Sequence, residues 1–471
     1  MKILILNGSP KGKNSITLQT CIYLERLHPE HQFKVLHVGQ KIRAFERDMT
    51  YAKALMEAAD LILFSYPVYT FLAPWQLHRF IELAKECGVN VAGKPATQLT
   101  TSKHFYDITA HRYVQDNVQE MGMRYIRGLS ADMDDLTTEK GRREAREFFD
   151  YVEHCLKNGI AEPVLVGHST KSRKNVTVPA ESAGEKPGEV VILTNRAPDD
   201  TQLAAMIERF RAVCTRRTRV INLAEYPFKG GCIGCFHCAV DGTCVYKDGF
   251  DTFLREEIQT AEAIIMAFTV KDHSMGASFK LYDDRQFCNG HRTVTMGMPM
   301  GYLVSGDLAA EDNLRNVMEA RANVGGNFLA GIATDEEDPD AAIDALAATL
   351  DFALARGYVP PQNFWGIGGM KIFRDLIWIM QGMMKADHAF YKAHGQYDFP
   401  QQQLPRMLAM YAVGAMLASP ALKKAAGGKM TEGMLMPYKA ALRKAAGGGE
   451  PPQAIGGGEP PQAIGANIES C

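Results

Sequence analysis

The chain has 471 residues, 46% of them hydrophobic, and a net charge of −2. That length predicts two or three domains with ordinary globular cores. The near-neutral balance argues against nucleic acid or an anionic membrane surface as the main partner. The opening Met1-Lys-Ile-Leu-Ile-Leu-Asn-Gly8 runs straight into a strand pattern without a signal-peptide layout. No window reaches 18 uninterrupted apolar residues, so no transmembrane segment is expected. Of ten cysteines, six are scattered singly, a pattern of reduced thiols that predicts a cytoplasmic protein.

Lys2 to Leu6 reads as a buried parallel strand, followed by Asn7-Gly-Ser-Pro-Lys-Gly-Lys-Asn-Ser-Ile-Thr17 and an apolar-periodic helix. Strand, Gly/Ser/Thr-rich loop and helix is the layout that holds a phosphate on free N–H groups at the positive end of a helix dipole. The loop matches neither G-x-x-x-x-G-K-[ST] nor G-x-G-x-x-G, which excludes a P-loop and a Rossmann dinucleotide site. Further strands are expected at 33–38, 60–65, 96–101 and 125–130, with helices at 48–59, 75–87, 111–121 and 139–156. Five strands with crossover helices make a three-layer α/β domain over residues 1–158. Its ligand edge carries the loops after Leu6, Ser65 and Thr101. Asp132, Asp134 and Asp135 read as a solvated acidic loop.

Gly8-Ser-Pro-Lys-Gly-Lys-Asn-Ser15 and Ser65-Tyr-Pro-Val-Tyr69 resemble the flavodoxin-like NAD(P)H-dependent FMN reductase family. The resemblance implies that Ser9, Asn14, Ser15 and Thr17, with Lys11 and Ile16 in the same loop, hold the phosphate of FMN. It places Tyr66, Pro67, Val68 and Tyr69 along the isoalloxazine ring, and Thr101, Ser102 and His104 on its far side.

Residues 159–189, rich in Lys, Ser, Glu, Pro and Gly, read as a linker. From Val190 the same rhythm restarts, with strands expected at 190–194, 219–223, 263–268 and 328–334 and an extended stretch at 293–305. Residues 190–357 are therefore a second domain of the same architecture. The loop after its first strand, Asn195-Arg-Ala-Pro-Asp-Asp-Thr201, lacks Gly-Ser-Pro and sets two aspartates where a phosphate would sit. Lys271 to Ser278 reads as a flavin-side loop, which leaves FMN binding by this domain open.

After its second strand comes Gly230-Gly-Cys-Ile-Gly-Cys-Phe-His-Cys-Ala-Val-Asp-Gly-Thr-Cys244. Cys232, Cys235, Cys238 and Cys244 follow C-x2-C-x2-C-x5-C. Consecutive x2 steps favour iron–sulfur ligation; zinc and metal-free thiols, buried or paired in a disulfide, are the alternatives. The motif, with the following Lys247-Asp-Gly249, is similar to that of the iron–sulfur flavoprotein branch of the same family. The resemblance implies that these four cysteines ligate a [4Fe–4S] cluster.

Residues 358–446 read as a helical extension that holds ten of the 23 methionines, suited to covering a core, a dimer contact or a membrane interface. In the tail, 447–471, Gly447-Gly-Gly-Glu-Pro-Pro-Gln-Ala-Ile455 recurs as 456–464. Such a composition predicts a disordered tail, and the duplicated motif suits docking to a larger protein assembly. The whole reads as an iron–sulfur flavoprotein oxidoreductase, passing electrons between FMN and the cluster. NAD(P)H or a ferredoxin is the donor, and a redox partner or small molecule the acceptor. The chain is expected to be a homo-oligomer. No residue is assigned as a general acid or base, because the cofactors carry the chemistry. The competing reading is a non-enzymatic, metal-stapled docking protein.

Overall fold

The computed structural model describes residues 1–164, 171–180 and 185–426, with Leu435, Tyr438 and Leu442. Parts of the linker and the duplicated tail motif lie outside the described residues. The chain divides into a body, Met1–Gln396, and a second unit, Tyr397–Cys471.

The first repeat runs β1 (Lys2–Asn7), α1 (Ile16–Leu27), β2 (Gln32–Leu36), α2 (Ile42–Phe45), α3 (Thr50–Ala58), β3 (Leu61–Pro67) and α4 (Trp75–Glu86). It continues through β4 (Pro95–Ser102), α5 (Asp107–Glu120), β5 (Arg124–Tyr125), β6 (Leu129–Asp132) and α6 (Glu139–Asn158). All strand pairs are parallel in the order β2-β1-β3-β4-β5, with β6 also on β4. Ile3–Leu6 and Leu61–Phe64 are buried throughout, because helices cover both faces of the sheet. The expected fifth strand splits in two. The break at residues 126–128 includes Gly128, which presses on the backbone and side chain of Gln98 so closely that no Cβ would fit.

The second repeat is β7 (Glu189–Thr194), α7 (Thr201–Val213), β8 (Arg217–Asn222), α8 (His237–Asp241), α9 (Phe250–Phe253), β9 (Ala263–Thr269) and α10 (Gly276–Arg285). It ends with β10 (Pro299–Ser305), α11 (Asp312–Gly325), β11 (Phe328–Thr334) and α12 (Pro339–Arg356). The sheet order is β11-β10-β9-β7-β8, the same winding as in the first repeat. The two tandem α/β domains with parallel sheets stand as expected. Two local details differ. The extended stretch at 293–305 narrows to β10. Helix α10 begins inside the expected loop Lys271–Ser278, at Gly276, and buries its charged residues Lys280, Asp283, Asp284 and Arg285 against partners.

The repeats meet through equivalent elements: α4 packs on α10 and α5 on α11. The turns after β3 and β9 are built alike. Positive φ occurs at Thr70 and Phe71 in one, and at Asp272 and His273 in the other. Each turn closes on paired backbone bonds: Tyr69 N–H donates to Leu72 O at 2.8 Å, and Lys271 N–H to Ser274 O at 2.9 Å. Each helix start also donates to a carboxylate on the opposite helix. Trp75 N–H reaches Asp284 Oδ2 at 2.7 Å, and Ala277 N–H reaches Glu82 Oε1 at 2.7 Å. The interface is thus a pseudo-twofold pairing inside one chain.

Helices α13 (Phe364–Ile379) and α14 (Lys385–Ala393) complete the body. Phe373 packs tilted on Phe105 of the first repeat and edge-on to His291 of the second, so this cover spans both repeats. The second unit contains α15 (Leu404–Leu417) and α16 (Pro420–Ala426). No described helix is long and apolar enough to cross a membrane.

Candidate cofactor site between the repeats

A cavity of about 380 Å³ opens at the carboxyl edge of the first sheet, where ligands of such sheets bind. From the first repeat it is lined by Ser9, Lys11, Ser15, Ile16, Thr17, Pro67, Val68, Tyr69, Thr101 and Ser102. Ser15 caps α1 by accepting from Leu18 N–H at 3.4 Å, and Thr17 Oγ1 meets Thr101 Oγ1 at 2.6 Å. The hydroxyls of Ser9, Ser15 and Thr17 therefore gather beside the orphan N–H groups of the first turn of α1, a donor set that fits a phosphate. Three residues expected at the site are not in the cavity wall. Tyr66 points into the core, donating to Gln98 Oε1 at 2.5 Å and Ala110 O at 3.0 Å. His104 turns to Asp107, 2.8 Å away. Asn14 is exposed behind the loop.

The opposite wall comes from the second repeat and includes Cys232, Cys235, Cys238 and Cys244. The loop that carries them docks on the first repeat. Gln76 Nε2 donates to Cys232 O at 3.4 Å, and Lys11 Nζ lies 5.6 Å from the centre of the Phe236 ring. Two glycines make this approach possible. A Cβ on Gly231 would collide with the Trp75 indole, and one on Gly234, at φ 61°, with the Tyr69 hydroxyl. Burial pushes the Cys232 thiol up and Cys238 up to about 11, and the neighbouring sulfurs add to both shifts. Thiolates here call for a positive counter-charge, which a metal centre supplies.

The spacing of the sulfurs bears on which centre fits. Among the described residues, the group that brings three or more ligand atoms within 4.8 Å of one another is His28, Glu30, His31 and Glu153, at the other end of the first sheet. The four cysteine sulfurs are not part of that group. A tetrahedral zinc with Zn–S bonds of about 2.3 Å would draw its sulfurs to roughly 3.8 Å. A four-iron cluster is bound through a different iron by each thiolate and holds its sulfurs farther apart than zinc does.

Arg285 is the site residue that the sequence concealed. It is buried, its guanidinium donates to both Asp248 oxygens at 2.7 Å, and it lies 3.9 Å from Cys244 Sγ. Tyr246 and Phe250 face it at 4.7 and 4.9 Å from their ring centres. The Lys-Asp-Gly following the cysteines was the available signal, since Asp248 is the residue that holds this arginine. The acidic loop 132–135 is tied to Lys103, whose Nζ lies 2.7 Å from Asp132 and 2.8 Å from Asp134.

The corresponding edge of the second repeat is closed by the protein itself. Asp200 caps α7, accepting from Leu203 N–H at 3.1 Å and from the Thr269 hydroxyl. Arg173, from the linker, donates to Asp335 Oδ2 at 2.6 Å and to Ser305 Oγ at 2.8 Å. A carboxylate holds the helix start and a guanidinium fills the sheet edge.

Residues 1–149 match the family model described as flavodoxin-like fold. The first repeat has a flavodoxin-like fold. Solved structures with a similar arrangement include general stress protein 14 of Treponema denticola in complex with FMN, 15% identical over 33% of this chain and 99% of that one, TM-score 0.28. Another is the flavoenzyme NAD(P)H:(acceptor) oxidoreductase FerB of Paracoccus denitrificans, 19% identical over 32% and 97%, TM-score 0.26. A third is an FMN-dependent NADH-azoreductase of Bacillus anthracis in complex with FMN, 12% identical over 34% and 100%, TM-score 0.26. None of the curated proteins compared matches the chain. These likenesses are too distant to carry a substrate across.

Proposed function

We propose that the chain is an FMN-dependent oxidoreductase with a second redox centre, a [4Fe–4S] cluster on Cys232, Cys235, Cys238 and Cys244. NAD(P)H or a ferredoxin is the donor. One observation carries this reading: the phosphate-type loop of the first repeat and all four cysteines of the second line a single cavity within one chain. Bound FMN would exchange electrons in pairs or singly, and the cluster singly. The protein's own part is placement and potential. Ser9, Ser15 and Thr17 hold the phosphate end. Tyr69 stands between the flavin side and the cysteine loop, edge-on to Phe287 at 5.6 Å. Arg285 sets positive charge 3.9 Å from Cys244 Sγ, which favours added electrons at that centre. Apolar walls, including Phe105, Tyr282, Met300 and Phe373, keep water from the centres.

Anaerobic mixing of the purified chain with NADPH, followed at flavin wavelengths, tests the enzyme reading. Bleaching of the flavin, with electrons reaching an acceptor, is the expected result. A chain that holds no flavin, and takes up none when FMN is supplied, would instead be a docking protein.

A further inference from the structure

Helix α15 is exposed from Leu404 to Met416, and none of its residues is buried. Leu408 is 68% exposed and Tyr411 74%, and Leu404, Met407, Met410, Val413 and Met416 are exposed as well. At 100° per residue these positions run right round the helix rather than along one stripe. An isolated helix of this length is marginal in water, and a helix that is apolar all round is found buried. Among the described residues of its own unit, none covers it.

The charge pattern says what does. Between Arg406 and Lys423 the 16 residues 407–422 carry no charge at all. Arg406 stands at one end, and Lys423 and Lys424 at the other. From Leu404 to Ala446 the sequence holds seven basic residues (406, 423, 424, 429, 439, 443 and 444) against the single acid Glu432, a net +6. Since the whole chain is at −2, the remainder is at −8. The near-neutral total hides a strongly basic, apolar segment on an acidic protein.

We propose that α15 with its flanking basic residues is a peripheral anchor for a bilayer surface carrying anionic lipid. Fourteen residues at about 1.5 Å each make a helix of roughly 21 Å, too short for the ~30 Å hydrocarbon layer. Apolar on every side, the helix inserts among the acyl chains without crossing them. The arginine and lysines reach back to the headgroups. Pairing with the same segment of a second copy is the poorer arrangement, because it would set one basic segment against another with one acid each to offset them.

The test uses the full purified chain and sedimentation with vesicles of phosphatidylcholine, alone or mixed with phosphatidylglycerol. Bound protein is expected to rise roughly tenfold on the anionic vesicles and to fall as salt is raised. Leu408→Asp with Tyr411→Asp, or Lys423→Gln with Lys424→Gln, should return it to the phosphatidylcholine level. All four residues are exposed, so the visible spectrum of the body should not change. Equal binding to both vesicle types, or none, overturns the proposal. So does a wild-type oligomer that binds no vesicle and is dispersed to monomers by the Asp pair, which would make a second copy the cover.

Discussion

The two repeats share a sheet order, a turn with two consecutive positive-φ residues and a helix-to-carboxylate contact across their interface, yet their ligand edges are opposites. The first offers hydroxyls and an open helix start facing a cavity. The second sets Asp200 at the equivalent helix start and lays Arg173 against Asp335 and Ser305. What the second repeat keeps open is the loop after β8, and that loop serves the first repeat's cavity. On this reading the tandem chain is an asymmetric pair, with one half holding the flavin and the other supplying the cluster.

The largest effect should come from the cysteines. Cys232→Ser or Cys235→Ser is expected to remove iron and sulfide together while FMN remains, measured by metal, sulfide and flavin analysis. Loss of flavin in the same variants would mean the two halves of the cavity are not independent. Next is a swap of helix caps. Ser15→Asp gives the first repeat the second's carboxylate. It should weaken FMN binding about a hundredfold, on the order of 2–3 kcal/mol of like-charge repulsion, as read by flavin fluorescence. Asp200→Ser in the second repeat should leave flavin per chain unchanged, because Arg173 still fills that edge.

The interface itself should respond to pH. His273 is buried, which favours its neutral form, but Glu120 of the first repeat and Glu311 of the second outweigh this and push it up to about 9. Glu311 lies 2.9 Å from Nδ1 and Glu120 3.3 Å from Nε2. A raised folded-state value means the stabilisation is complete below the ordinary 6.5 and is lost as pH rises through about 9. His273→Gln should cost ~1–2 kcal/mol near neutral pH, discounted for the half-exposed Glu120. Above pH 9 the difference from the wild type should vanish in urea unfolding. The smallest effect is expected for Arg173→Ala. It leaves Asp335 with Ser305 Oγ and Gly306 N–H as donors and should cost ~1 kcal/mol.

Much of this was legible in the chain. Ile3–Leu6, Leu61–Phe64 and Ile264–Phe268 announce parallel strands because a sheet covered on both faces needs uninterrupted apolar runs. The cysteine spacing and the Gly/Ser loop single out residues that line one cavity, because each proposed chemistry fixes its residue types. The features that stayed hidden are those made by tertiary partners. Lys280 and Asp284 are buried against Tyr69, Thr70 and Trp75 of the first repeat, and Asp283 and Arg285 against Arg321 and Asp248 of the second, partners that no local pattern reveals. Tyr66 looks like a ring contact, yet Gln98 takes its hydroxyl into the core. No local pattern could reveal that the two sites share a cavity in one chain, since that follows from α4 meeting α10.

The most direct test is to purify the chain without oxygen and measure FMN, iron and sulfide per chain. The account predicts one FMN with about four irons and four sulfides, as a single cubane requires. Two flavins per chain would contradict the asymmetry of the repeats, and zinc without sulfide would make the cysteine loop a structural staple.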